Sequence, residues 1–344
     1  VILTLIQLGG LGLVTLTTFF NIAIRKKLGY KRLQLAQESV NSPDTIDAKH
    51  LVKMIMVLTF SFELLGAIAL SATFVPAFGA EGIYISLFLA ISSYCNAGFD
   101  ILGTKNNLYP SLTGYAGSLL INITIMLLIA VGGIGFLTWD DIRTNRLHLR
   151  KYRMQSKVIL CTTAVLLIVP AMYFYFFEFD DLTRKERLLS SLFQAVTPRT
   201  AGFNTVELTD LSEAGQFITI ALMLIGGSPG STAGGLKTTT IAVLLTTAIS
   251  TFRRRENAHL FGRRIDDDVV KNAATISLMY ITLCCTGGLI ISVSEGLPMI
   301  TCLFETASAV GTVGLSLGIT PELNLLSRVV LILLMFFGRV GGLT

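Results

Sequence analysis

Apolar runs long enough to cross a bilayer dominate this chain of 344 residues. They lie near 1–24, 54–78, 114–138, 158–178, 270–293 and 325–344. One more, 215–251, is interrupted by glycines and hydroxyl residues. A helix needs about 20 apolar residues to span the hydrocarbon core. In lipid only helices and closed barrels satisfy all backbone polar groups. Composition agrees: 52% of residues are hydrophobic and 14% charged, against about 25% charged in soluble domains. The chain is therefore predicted to be an all-α polytopic membrane protein. Apolar stretches near 84–95, 188–197 and 298–310 are too short to cross, and suit amphipathic surface helices or re-entrant pore helices.

The charges orient these spans. Nineteen of the 27 basic residues fall in segments 25–53, 143–157 and 253–271, the last including Arg253, Arg254 and Arg255. The positive-inside rule places all three on the cytoplasmic side, with contact to lipid headgroups. Successive cytoplasmic segments must then be joined by an even number of crossings. The five cysteines have no disulfide or metal-ligand spacing. Cys161, Cys284, Cys285 and Cys302 sit within apolar stretches and Cys95 ends one, as expected of buried thiols acting as small hydrophobes. No convergent acids, bases or metal ligands lie inside the spans, so an enzyme is not predicted, nor is any contact with nucleic acid.

A repeat organises the rest. "LGGLGLVT" at 8–15, "VGGIGFLT" at 131–138, "IGGSPGST" at 225–232 and "FGRVGGLT" at 337–344 each follow an apolar run and end on Thr. Between them lie "CNAGFD" at 95–100, "RTAGFN" at 199–204 and "GTVGLS" at 311–316, each after one of the short apolar stretches. A period of roughly a hundred residues suggests internal duplication within a membrane. The unit reads as long helix, short helix, glycine-centred loop, long helix. With both ends cytoplasmic, the short helix and loop must enter from outside and return. Such backbone survives only where it lines water or is packed in protein. Several loops around one axis would turn carbonyl oxygens toward a cation and replace its hydration shell.

"GGSPGSTAGGLKTTT" at 226–240 resembles a phosphate-binding loop, since Gly230 and Gly235 have the required spacing. Leu236, however, precedes Lys237 and Thr238, where the pattern needs lysine directly after glycine. Its position in the repeat favours a broken membrane helix, unwound by Gly and Pro. For the other three glycine-rich segments a close helix-packing patch is expected.

These motifs, with "VTPRTAGFN" at 196–204, "GTVGLSLGITPEL" at 311–323 and "GRVGGLT" at 338–344, resemble the membrane subunit of the Trk/Ktr/HKT cation transporter superfamily, nearest the TrkH and KtrB proteins. The resemblance covers essentially the whole chain. It implies four helix–pore loop–helix repeats in pseudo-four-fold arrangement around one pore. Residues 1–24 would end repeat one, 54–139 form repeat two, 158–252 repeat three and 270–344 repeat four. Cytoplasmic connections 25–53, 140–157 and 253–269 would join them. The filter of repeat one is expected upstream of Val1, and a further half-helix beyond Thr344. The implied function is potassium uptake across the cytoplasmic membrane, with sodium as a second ion. The implied partners are a second copy of the chain and a cytosolic nucleotide-binding regulatory ring.

By that resemblance the filter falls on Asn96, Ala97 and Gly98, on Thr200, Ala201 and Gly202, and on Thr312, Val313 and Gly314, with K+ at their carbonyls. The gate falls on Gly226, Gly227, Ser228, Gly230, Ser231, Thr232, Gly234, Gly235, Lys237 and Arg339. Arg339, deep in an apolar run, reads as an electrostatic barrier, as a tether for the loop, or as a donor to helix-end carbonyls. Lys237 suits either the gate or the interface. Asp100 and Asn204 either attract cations at the outer mouth or cap their own turns. Arg199 is expected behind its loop, bonded to carbonyls or to a carboxylate such as Glu305. A sodium-coupled symporter with alternating access is the competing reading. Parallel rather than inverted repeats favour the pore.

Overall fold

The computed structural model describes residues 1–12 and 48–341, apart from 106, 147 and 256. The expectations for 13–24, for most of the 25–53 connection and for Thr344 lie outside the described residues. Twelve α-helices are seen within them: α1 (Ile2–Leu11), α2 (Ala48–Phe78), α3 (Glu81–Tyr94), α4 (Leu119–Gly133), α5 (Phe136–Asn145), α6 (Met154–Phe177), α7 (Arg184–Val196), α8 (Glu213–Leu224), α9 (Thr238–Phe252), α10 (Asp267–Glu295), α11 (Met299–Gly311) and α12 (Leu325–Gly341). A two-stranded antiparallel hairpin, His259–Leu260 with Arg263–Arg264, lies between α9 and α10.

Among the described residues, three helices are long and apolar enough to cross a membrane: Val52–Phe78 within α2, α6 and α10. They point large apolar side chains outward. Val57, Phe60, Leu64, Leu65 and Ile68 of α2 are exposed, as are Val165, Ile168, Val169 and Met172 of α6. Polar residues such as Ser92, Ser93, Thr197, Thr200 and Thr306 are buried. That inversion suits a helical membrane protein, in which polar groups pair inside and lipid covers the apolar surface.

The short helices α3, α7 and α11 have 14, 13 and 13 residues. At 1.5 Å per residue each reaches about 20 Å, less than the hydrocarbon core of about 30 Å. Helix α7 is capped by Thr183, whose Oγ1 accepts from the Glu186 amide and donates to its carboxylate at 2.7 Å. Helix α8 is capped by Ser212, whose hydroxyl accepts from Gly215 N at 3.1 Å.

One packing relation recurs. Helix α1 packs on α3, α4 packs on α7, and α8 packs on α11. In the second and third cases the helix after one glycine loop meets the short helix of the next unit. The same contact made three times in chain order is what rotation about a common axis produces.

The segment 114–138 is not one helix. Helix α4 begins at Leu119 and breaks at Ile134–Gly135, and α5 departs at 97°. The glycine-rich stretch 131–138 is thus a bend, not the continuous packing patch expected. Gly135 has φ +96°, and a Cβ there would lie 2.6 Å from the Pro229 carbonyl oxygen. The stretch at 337–341, by contrast, stays helical, and a side chain at Gly338 would strike the Val310 carbonyl. Helix α2 begins at Ala48, inside the connection 25–53, and α5 runs on to Asn145, past the boundary placed at 139. Cys161 and Cys285 are exposed on the apolar surface rather than buried, whereas Cys95, Cys284 and Cys302 are buried.

Candidate functional site

The three glycine loops share one backbone design. Asn96, Thr200 and Thr312 have φ +50°, +67° and +54°, and Gly98, Gly202 and Gly314 have φ +71°, +83° and +94°. Each loop therefore visits the left-handed region twice, two residues apart, within a few residues of the end of its short helix. In the first and third loops this is a Schellman ending. Ala97 N donates to Ser92 O and Val313 N to Ser308 O, both at 2.8 Å. In the middle loop Ala201 N and Gly202 N share the Thr197 carbonyl, at 3.0 and 3.3 Å.

The loops nest in order. A Cβ at Gly98 would lie 2.5 Å from the Ala201 carbonyl oxygen, and one at Gly202 would strike the Val313 carbonyl oxygen. One at Gly314 would meet only Gly202 Cα, at 4.0 Å. Each of the first two glycines thus faces the carbonyl preceding the next glycine in the series. Only a residue without Cβ allows that approach and the positive φ together.

Side chains brace these turns from behind. Ser92 Oγ donates to Phe99 O at 2.7 Å, Thr197 Oγ1 donates to Phe203 O, and Ser308 Oγ accepts from Gly314 N at 3.1 Å. The sequence reading missed these hydroxyls, although each stands five or six residues before its glycine. Glu305, buried on α11, accepts from Ser316 Oγ (2.7 Å), Leu317 N (2.9 Å) and Thr320 Oγ1 (2.8 Å). It holds the chain just beyond Gly314. Replacing it with leucine removes the shared acceptor of all three donors and leaves Leu317 N bare, and is expected to cost about 2 kcal/mol or more of stability. Glutamine can keep the Leu317 bond and is expected to cost clearly less. Thermal unfolding of the two variants in detergent reads the difference.

The Arg199–Glu305 pair does not form. Glu305 is engaged as above, and Arg199 reaches Thr163 Oγ1 at 3.5 Å. Asp100 Oδ1 accepts from Leu102 N at 2.9 Å, and Asn204 Nδ2 donates to Val206 O at 3.2 Å. Both therefore cap their own turns.

Residues 225–237 form a folded-back loop between α8 and α9, mostly buried. Gly226 N donates to Leu236 O at 2.8 Å, and Thr238 N to Gly227 O at 3.1 Å. Ser228 and Thr238 hydroxyls lie 3.1 Å apart, Ser231 Oγ donates to Ser228 O at 2.6 Å, and Lys237 Nζ donates to Ala233 O at 2.9 Å. The loop is keyed into the α4–α5 break. Ser228 N donates to Gly133 O at 3.0 Å, and Phe136 N to Gly230 O at 2.8 Å.

The loop also touches two of the three glycine turns. Asn96 Nδ2 donates to Thr232 Oγ1 at 3.0 Å, and that hydroxyl lies 3.0 Å from Tyr94 O. On the far side, a Cβ at Gly234 would collide with Thr312 Oγ1 and lie 3.6 Å from an Arg339 guanidinium nitrogen. Gly235, at φ +66°, approaches the Gly311 carbonyl. Arg339 is exposed, and its hydrogen bond runs to Gly9 O of α1 at 3.0 Å, not to a loop carbonyl. The tether imagined from sequence is thus made to a neighbouring helix.

Glu63 was missed as well. It is 3% exposed, accepts from Gln7 Nε2 at 3.0 Å, and stands beside Cys95 at the entrance to the first glycine turn. Its signal was available: it is the only charged residue between 54 and 78, and intramembrane carboxylates are seldom idle. No cluster of three or more His, Cys, Asp or Glu residues occurs among the described residues.

Comparison with known proteins adds a second kind of evidence. The sequence model for TrkH, described as a cation transport protein, matches residues 2–344. The chain is 38% identical to the potassium/sodium uptake protein NtpJ of Enterococcus hirae, covering 100% of this chain and 77% of that one. It is 36% identical to the Ktr system potassium uptake protein B of Bacillus subtilis, with the same coverage of 100% and 77%. The crystal structure of the potassium transporter TrkH from Vibrio parahaemolyticus matches 98% of this chain and 69% of its own length, with TM-score 0.72 at 20% identity. At that identity the likeness is one of fold.

Proposed function

The chain belongs to the TrkH family of cation transport proteins, a multi-pass membrane family of transporters rather than enzymes, and from this we propose that it admits potassium through a pore at its three glycine loops. Ions pass inward across the cytoplasmic membrane in single file, between the turns 96–98, 200–202 and 312–314, with sodium as a second permeant or coupling ion. The observation that carries the reading is the nesting of Gly98 and Gly202 against successive loop carbonyls. Carbonyl oxygens held this closely on fixed left-handed turns can replace an ion's hydration shell without reorganising. Relatives named for potassium uptake, and for potassium/sodium uptake, support the choice of ion.

Residues 226–240, with Arg339 beside them, act as the gate beneath this filter. Their contacts with both Asn96 and Thr312 turns support that role. A cytosolic nucleotide-binding ring controls the gate, and the membrane subunit pairs with a second copy. The name "Ktr system" carried by one relative fits a multi-component assembly.

Potassium or rubidium flux into liposomes holding the purified protein tests the pore. Uptake should follow an imposed membrane potential without a sodium gradient. Strict dependence on a sodium gradient would favour the alternating-access symporter instead.

A further inference from the structure

Arg199 is a buried cation with too few partners. Its side chain belongs to a residue only 7% exposed. Among the described residues its guanidinium has one hydrogen bond, to Thr163 Oγ1 at the 3.5 Å limit, and its Nε has no partner. A guanidinium offers five donors, and leaving them bare in an apolar interior is costly. Beside it lies a cavity of about 10 Å³, walled by Arg199, Val196, Leu167, Gly133 and Gly227 among others. A space of about that size, measured by a water-sized sphere, holds one water if polar partners face it.

The walls come from four parts of the molecule, Leu167 from α6 among them. Val196 and Arg199 lead into the Thr200–Gly202 turn, Gly133 ends α4 at its break, and Gly227 belongs to the loop 225–237. Gly133 and the loop are already joined, through Ser228 N to Gly133 O at 3.0 Å.

We propose that this cavity binds a single water, which accepts from Arg199 Nε and donates to a backbone carbonyl of the cavity wall. Arg199 is thereby a positioning residue that ties the loop 225–237 to the middle filter turn. The link rests on the reading of that loop as the gate. While the loop is seated, the water is enclosed and the Thr200–Gly202 turn is held from behind. Withdrawal of the loop removes the Gly227 wall, admits bulk water to the guanidinium and releases the turn. Gate and filter then change state together.

Two measurements on the full protein decide the matter. The first is a cycle of Arg199→Met, deletion of 229–235 and the two combined, with potassium flux in liposomes as readout. Coupled groups give non-additive effects, independent ones additive effects. Arg199→Met should change flux several-fold with the loop intact and by less than about two-fold in the deletion. Arg199→Lys, which keeps the charge and a donor, should lie between Arg199→Met and the native protein. Equal factors in both backgrounds would overturn the coupling. If the deletion alone leaves flux unchanged, the gating reading fails, and so does the coupling built on it. The second measurement needs no variant. A structure of the unaltered protein at a resolution that shows waters should place one at about 2.7–3.2 Å from Arg199 Nε. An empty cavity, or a carboxylate reaching Arg199, would overturn the water site even if the loop proves to be the gate.

Discussion

Gly202→Ser should be the most damaging single change in this protein. The new Cβ would strike the Val313 carbonyl oxygen, and the residue would have to keep φ at +83°. A side chain in the left-handed region costs about 1–2 kcal/mol before any clash is counted. Moving the Val313 carbonyl would disturb an oxygen proposed to face the ion. Gly98→Ser should be nearly as severe, since its Cβ would sit 2.5 Å from the Ala201 carbonyl oxygen. Gly314→Ser meets no atom closer than 4.0 Å and carries only the strain of φ +94°. The order of damage should therefore be Gly202, then Gly98, then Gly314. For the first two, the ratio of potassium to sodium uptake should fall by about tenfold or more, equivalent to about 1.4 kcal/mol. Relative uptake of the two ions by liposomes reads this directly. Three variants with native selectivity would remove the filter from these glycines.

Shortening the loop should act in the opposite direction. Deletion of 229–235 removes Thr232, which bonds the Asn96 side chain, and Gly234, which abuts Thr312. It also removes Gly230, whose carbonyl pins Phe136 N at the α4–α5 break. If the loop closes the pore, its loss should raise potassium flux several-fold and weaken dependence on the cytosolic partner. A seated gate biases the equilibrium only through contacts it makes in the closed state, and these are the contacts deleted. Unchanged flux and unchanged regulation, at normal expression, would reduce the loop to packing.

Much of this architecture could be read from residues alone. The apolar runs 54–78, 158–178 and 270–293 match α2, α6 and α10 to within a few residues, because length and hydropathy suffice to specify a crossing helix. The short helices and the interrupted run at 215–251 also appear where expected, since Gly and Pro chains leave few helical alternatives. What escaped depends on partners distant in sequence. "VGGIGF" at 131–136 and "GRVGG" at 338–342 look alike, yet the first breaks while the second stays helical through Gly341. At the first, the Pro229–Gly230 segment docks against Gly135 and takes the Phe136 amide. Likewise the charge of Arg199 suggested a carboxylate partner, but Glu305 was already committed to the chain beyond Gly314. Charge complementarity in a sequence says who can pair, not who is near.

The proposed pore requires a dehydrated ion to rest among the carbonyls of the three glycine turns. Rubidium or thallium soaked into the protein, and located by its scattering, tests this most directly. Density is expected between Gly98, Gly202 and Gly314, displaced by potassium. Ion density confined to other parts of the protein, with these turns intact and empty, would contradict it.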